Sequence, residues 1–265
     1  MLGAVYILPI LIGFGRSSCG TMASTENSMK PILVRMIGLR VLAGAAFLSP
    51  LLRAQAQKAE TPYPHMASVD QYLMADRNVE IALARSAAPK AISDDAEILV
   101  LERQGYKTAA SGKNGFVCLV QRSWAAGIDD PEFWNPKLRS PICLNAPAVR
   151  TFLPLIIAKT KLALAEKSRA QISDEIGAAL DKKELPALEV GAMSYTMSKD
   201  GYVGDHVGHW HPHLMFFVPL TDAKSWGASL PGSPIFGGED APERLTIFMV
   251  PVGSWSDGTP DSNQK

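Results

Sequence analysis

Hydrophobic spacing divides the chain into a helical first part and a strand-rich second part. Ser68 with Gln71 has the spacing of a capping box, and Val69, Tyr72, Leu73, Val79 and Leu83 follow it as an approximate helical stripe that stops before Pro89. Ile98–Leu101 and Phe116–Val120 are short apolar runs bounded by polar residues, with Gly105, Gly112 and Gly115 between them. They predict two paired strands joined by a polar loop. Trp124 to Pro147 holds four prolines and no clear period, and is expected to wrap the core irregularly.

Val149 to Ala165 is helical in pattern, with Pro154 limiting or kinking its first turn. Ser168 and Gln171 form a second capping box, followed by Ile172, Ile176, Ala179 and Leu180 at helical spacing and by Lys182 and Lys183 at the C-terminal end. After Pro186 the period changes to two: Met193, Tyr195 and Met197 alternate with Ser194, Thr196 and Ser198. Leu214–Val218 and Leu245–Val250 are further strands, separated by the turn-rich Leu230–Pro234. The expected fold class is α+β, an antiparallel sheet packed with several helices in a single domain.

The N-terminal 56 residues read differently. From Met29, basic Lys30, Arg35 and Arg40 precede an apolar stretch from Val41 to Leu52, and then Arg53-Ala54-Gln55-Ala56. This is the order of a signal peptide with cleavage after Ala56, preceded by an over-long start. The expected division is therefore a leader at 1–56 and one α+β domain at 57–265.

Composition agrees with an ordinary globular chain: 265 residues, 47% hydrophobic and 20% charged. Residues 1–56 hold five basic side chains (Arg16, Lys30, Arg35, Arg40, Arg53) and one acidic one (Glu26), so removing them from 26 of each leaves 21 against 25, a net charge of −4. A mildly acidic domain has no basic field to gather phosphates, so nucleic acid is not an expected partner. Membrane association is expected only through the leader. The expected location is periplasmic or extracellular, where Cys118 and Cys143 would pair as a disulfide.

Four of the five histidines fall within residues 204–213, at His206, His209, His211 and His213, just before an apolar run. Imidazole is the commonest transition-metal ligand, so these are candidate ligands for a divalent ion such as zinc. One regular strand does not gather all of them. His209 and His213 stand about 13 Å apart at their backbones if extended, which leaves His-x-His pairs as the plausible chelates and gives Pro212 the task of bending the chain. Asp205 or a distant carboxylate, Glu239 or Asp240, would complete the shell, and Asp205 or Glu239 would act as base on bound water. Hydrogen-bonded histidines bracing a sheet are the competing reading.

Other motifs are missing. The chain has no His-Glu-x-x-His, no Gly-x-Ser-x-Gly elbow and no complete phosphate loop at Gly112-Lys113. The His-x-His here is followed by Leu214-Met215-Phe216-Phe217 without a glutamate, unlike the metal-binding cupin barrels.

The segments Gly112–Cys118, Asp130–Pro136, Gly208–Phe217 and Trp255–Thr259 make the region from about Met66 onward resemble a group of exported bacterial proteins that share a Gly-His-Trp-His-Pro-His-Leu-Met-Phe-Phe stretch. That resemblance implies export and a single domain and implies no activity. Three functions follow as expectations: an exported binding domain with a histidine-rich metal or ligand site, a metal-dependent hydrolase using the same histidines, or a non-catalytic module of the envelope. The expected partner is a small molecule or an envelope component.

Overall fold

The computed structural model describes residues 62–205 and 210–262; the leader expected at 1–56, with His206 and His209, lies outside them. The described residues form eight strands in one sheet, ordered β2-β1-β3-β4-β5-β6-β8-β7. In chain order these are β1 (Glu97–Glu102), β2 (Gly105–Ala110), β3 (Val117–Gln121), β4 (Ser140–Leu144), β5 (Met193–Thr196), β6 (His213–Pro219), β7 (Phe236–Asp240) and β8 (Leu245–Pro251). Every neighbouring pair is antiparallel except β1 with β3, which run parallel.

Five helices join them: α1 (Arg77–Arg85), α2 (Lys90–Ser93), α3 (Ala146–Thr151), α4 (Leu153–Leu164) and α5 (Arg169–Asp181). Side chains alternate across a strand, so the sheet has two apolar faces to cover. Ile98, Cys118, Val120 and Cys143 meet the alanines of α1 and the turn after it, Ala84, Ala87 and Ala88. Leu99, Leu119, Ile142, Leu144 and Phe217 on the other face pack with Leu153, Ile156, Ala163, Ile172 and Ile176 of α4 and α5. Phe152, between α3 and α4, stacks on Phe217 with ring centroids 3.8 Å apart.

Several elements depart from the pattern read in the sequence. Ser68 starts only a single tight turn, Val69–Gln71, and the helix begins at Arg77 because Asp76 caps it, accepting from the Asn78 amide. The stretch between the first two apolar runs is not a loop, since β2 turns back on β1 through Gly105 at φ +113°. As an edge strand with one exposed face it lacks the apolar run that marks β1 and β3. The proline-rich segment contains the interior strand β4. Pro141 is tolerated there because the ladder to β5 involves only Cys143 and Leu144. β7, Phe-Gly-Gly-Glu-Asp, carries no alternating apolar pattern and is given no element by the sequence. Pro154 divides the expected 149–165 helix into α3 and α4 and sits in the first turn of α4, where its missing N–H is not needed.

The second capping box is present in full: Ser168 Oγ accepts from the Gln171 amide, and the Gln171 side chain accepts from Ser168 N–H. Cys118 and Cys143 form the expected disulfide, joining directly opposed positions of β3 and β4. No helix among the described residues is long and apolar enough to cross a membrane.

Candidate functional site

β6 begins at His213, which pairs with Pro251 at the end of β8. One further bond, from Val252 N–H to the Pro212 carbonyl at 2.8 Å, keeps the two chains together just before the strand. Beyond it, Trp255 N–H donates to Thr259 O and Gly258 N–H to Trp255 O, a tight turn that sends the chain back on itself. Ser254 then bridges to Pro260, and Asp261 N–H donates to Gly253 O at 3.0 Å. This return places the Asp261 carboxylate, with none of its side-chain surface exposed, 2.5 Å from His211 Nδ1.

The two described histidines of the cluster are therefore oriented in the same manner. His211 holds its Nδ1 against a carboxylate, and His213 Nδ1 lies 2.8 Å from the His211 carbonyl. A carbonyl only accepts, so His213 carries its proton on Nδ1 and its lone pair on Nε2; the carboxylate likewise holds a proton on His211 Nδ1. Burial pushes the His213 pKa below the ordinary imidazole value, and the neighbouring His211 acts in the same direction against the opposing effect of the carbonyl bond. The His213 ring is thus neutral at pH 7, the form that ligates metal.

Trp210 packs edge-on to His213 at 5.6 Å and lies 6.2 Å from Trp255. Gly201 makes room for it: a Cβ there would stand 2.8 Å from the Trp210 ring. Asp205 accepts from the hydroxyls of Tyr63 and Tyr202 and lies 3.5 Å from Lys137 Nζ. Its backbone N–H donates to Glu132 Oε2 at 2.9 Å. Glu132 is buried and also accepts from Asn135 Nδ2 at 2.7 Å. Gly204 passes so close to this carboxylate that a Cβ would stand 2.7 Å from it. The Tyr202 and Tyr63 hydroxyls, in that order, hold the Asp205 carboxyl below the usual range.

Glu239 is placed elsewhere. It sits on the edge strand β7, in register with Thr246 of β8 and so with Val218 of β6, and accepts from the Ala223 amide at 2.8 Å. Val218 is five residues from His213, about 16 Å along the strand. Asp240, one position further, caps the turn by accepting from Glu243 N–H. Among the described residues, neither carboxylate is brought to His211 or His213. Among the described residues, no group of three or more His, Cys, Asp or Glu side chains is gathered to hold a metal ion.

Sequence reasoning missed Asp261 and Glu132. Asp261 follows Asp257-Gly258-Thr259-Pro260, a turn signal in which a single acid has no period to mark it. Glu132 carries a fainter signal: an acid and an amide three apart, Glu132 and Asn135, flanking Phe133 and Trp134 and therefore drawn into the core with the rings. No protein-family model, curated protein or solved structure matches the chain.

Proposed function

We propose that the chain is an exported binding domain whose ligand site is built on His211 and His213, with a divalent transition metal such as zinc as the ligand. One observation carries this reading. His213 has its Nδ1 committed to the His211 carbonyl and so presents Nε2 as the donor atom, while the neighbouring His211 holds its Nδ1 against the buried Asp261 carboxylate. Metal-binding histidines are oriented in this manner by carboxylates and carbonyls, which fix the tautomer and raise the basicity of the ligating nitrogen. The disulfide supports an oxidising compartment and hence export.

The hydrolase reading is less well supported. A general base needs a carboxylate or imidazole of adequate basicity near the ion. The two tyrosine hydroxyls lower the basicity of Asp205, and Glu239 caps a turn two strands away.

The test is metal analysis of the full 265-residue chain purified without a polyhistidine tag, beside a His211→Ala/His213→Ala variant. About one equivalent of zinc in the parent, lost in a variant that keeps its circular dichroism, is the expected result. A folded parent that takes up no zinc at micromolar concentrations overturns the proposal.

A further inference from the structure

Four buried side-chain polar atoms among the described residues have no hydrogen-bond partner: Ser123 Oγ, Ser194 Oγ, Thr196 Oγ1 and Trp210 Nε1. Three of them belong to the surroundings of His213. Thr196 is its register partner on β5, Ser194 lies two residues along the same strand, and the Trp210 ring packs against the imidazole. Burying a hydroxyl without a partner costs stability, and packing alone would put alanine or valine at such positions.

Registered neighbours project to one face of a sheet, as do residues two apart along a strand. Two rows follow from the pairing: Thr196, His213 and Pro251, and next to it Ser194, Met215 and Met249. Ser194 and Thr196 are fully buried, whereas His213, Met215 and Met249 are only partly so. Directly opposed residues hold their Cβ atoms about 5 Å apart, and Met215 stands about 7 Å along the strand from His213. Two flexible thioethers and one oriented imidazole thus share one face of the sheet, where Met215 also packs on the core that holds Phe217, while His213 and Met249 stay partly exposed.

This donor set differs in kind from the carboxylates weighed above. Thioether sulfur is a soft ligand that favours monovalent copper over zinc, and methionine has the rotamers to close on an ion. We infer that His213, Met215 and Met249 form a soft-metal site for monovalent copper, an extension that rests on His213 acting as a ligand through Nε2. The thioethers supply the donors that histidine, cysteine and carboxylate side chains do not.

The experiment uses the full chain without a polyhistidine tag, held anaerobically. Monovalent copper is titrated against a chromophoric chelator, and zinc is titrated separately. Leucine is close to methionine in volume, so Met215→Leu/Met249→Leu preserves packing and removes both sulfurs. The expected result is one equivalent of monovalent copper bound by the parent, at least thirtyfold weaker binding in the double variant, and zinc affinity unchanged within twofold. If the double variant unfolds, Met249→Leu alone makes the same comparison. Equal copper affinity in parent and variant overturns this inference, as does zinc binding without copper binding, and both leave the zinc reading intact. Binding of neither ion overturns both.

Discussion

His211 Nδ1 and the Asp261 carboxylate, fifty positions apart in the chain, meet at 2.5 Å, with the carboxylate wholly buried and the imidazole part-exposed. A buried carboxylate behind an imidazole fixes the ring and enriches its outer nitrogen. Asp261→Asn keeps the size of the side chain and removes its charge. Zinc affinity is expected to fall about 10- to 100-fold, with the unfolding midpoint changed little. Competition with a chromophoric chelator measures the first and urea titration the second; unchanged zinc affinity would show that Asp261 only braces the chain.

The largest electrostatic commitment of the core lies elsewhere. Arg122, with no exposed surface, donates through Nη2 to Glu80 Oε1 at 2.8 Å, through Nε to Tyr72 O and through Nη1 to Val120 O. Glu80 Oε1 also accepts from Leu101 N–H, tying α1 to β1. Glu80→Ala leaves a guanidinium without its counter-charge in the core and is expected to cost about 3–5 kcal/mol in urea unfolding. Adding Arg122→Met to Glu80→Leu removes both charges and should recover part of that loss. A double variant less stable than Glu80→Ala would refute this account.

Cys118 and Cys143 close a loop with a sequence separation of 25 between adjacent strands. In the chain-entropy account, Cys118→Ala/Cys143→Ala should lower the unfolding free energy by about 3 kcal/mol. Denaturant midpoints check the magnitude. A thiol assay on the unfolded parent, expected to find these two cysteines unreactive until a reductant is added, checks the pairing.

The turn that returns Asp261 is itself pinned by charge. The Lys199 ammonium, then the Thr259 hydroxyl and amide, hold the Asp257 carboxyl well below the usual carboxylate range. A carboxyl depressed in the folded state contributes stability that is present above its unfolded value, about 4, and is lost as pH falls below it. The stability that the Trp255–Thr259 turn gains from Asp257 should therefore begin to decline in acid below about pH 4, while the contact itself persists until the folded carboxyl is protonated at lower pH. Lys199→Met should move the Asp257 titration upward, read by carboxyl NMR, and the shift should shrink in high salt because the pair is exposed. An Asp257 titration that Lys199→Met leaves in place would contradict this.

The local code of the chain was legible wherever a periodic or capping signal is self-contained. The Ser168/Gln171 box, the alternation at Met193–Met197 and the apolar runs of β6 and β8 depend on neighbours within a few positions, and each becomes the expected element. The segments misread or given no element are those whose state depends on a distant partner. β2 and β7 are edge strands made of residues with weak strand preference, ordered by pairing with β1 and β8. β4 contains a proline that only a one-sided ladder accommodates.

The same division holds at the site. The sequence by itself determined that imidazoles are concentrated at 206–213 before an apolar strand, and that two cysteines stand where a bridge closes a loop. Those are properties of composition and spacing. Which carboxylate orients His211, which hydroxyls are buried beside His213 and which methionines share its face were decided by the tertiary structure alone. Strand register and the return at Trp255–Thr259 are set by the pairing of segments tens of residues apart, and spacing along the chain does not encode which of those segments meet.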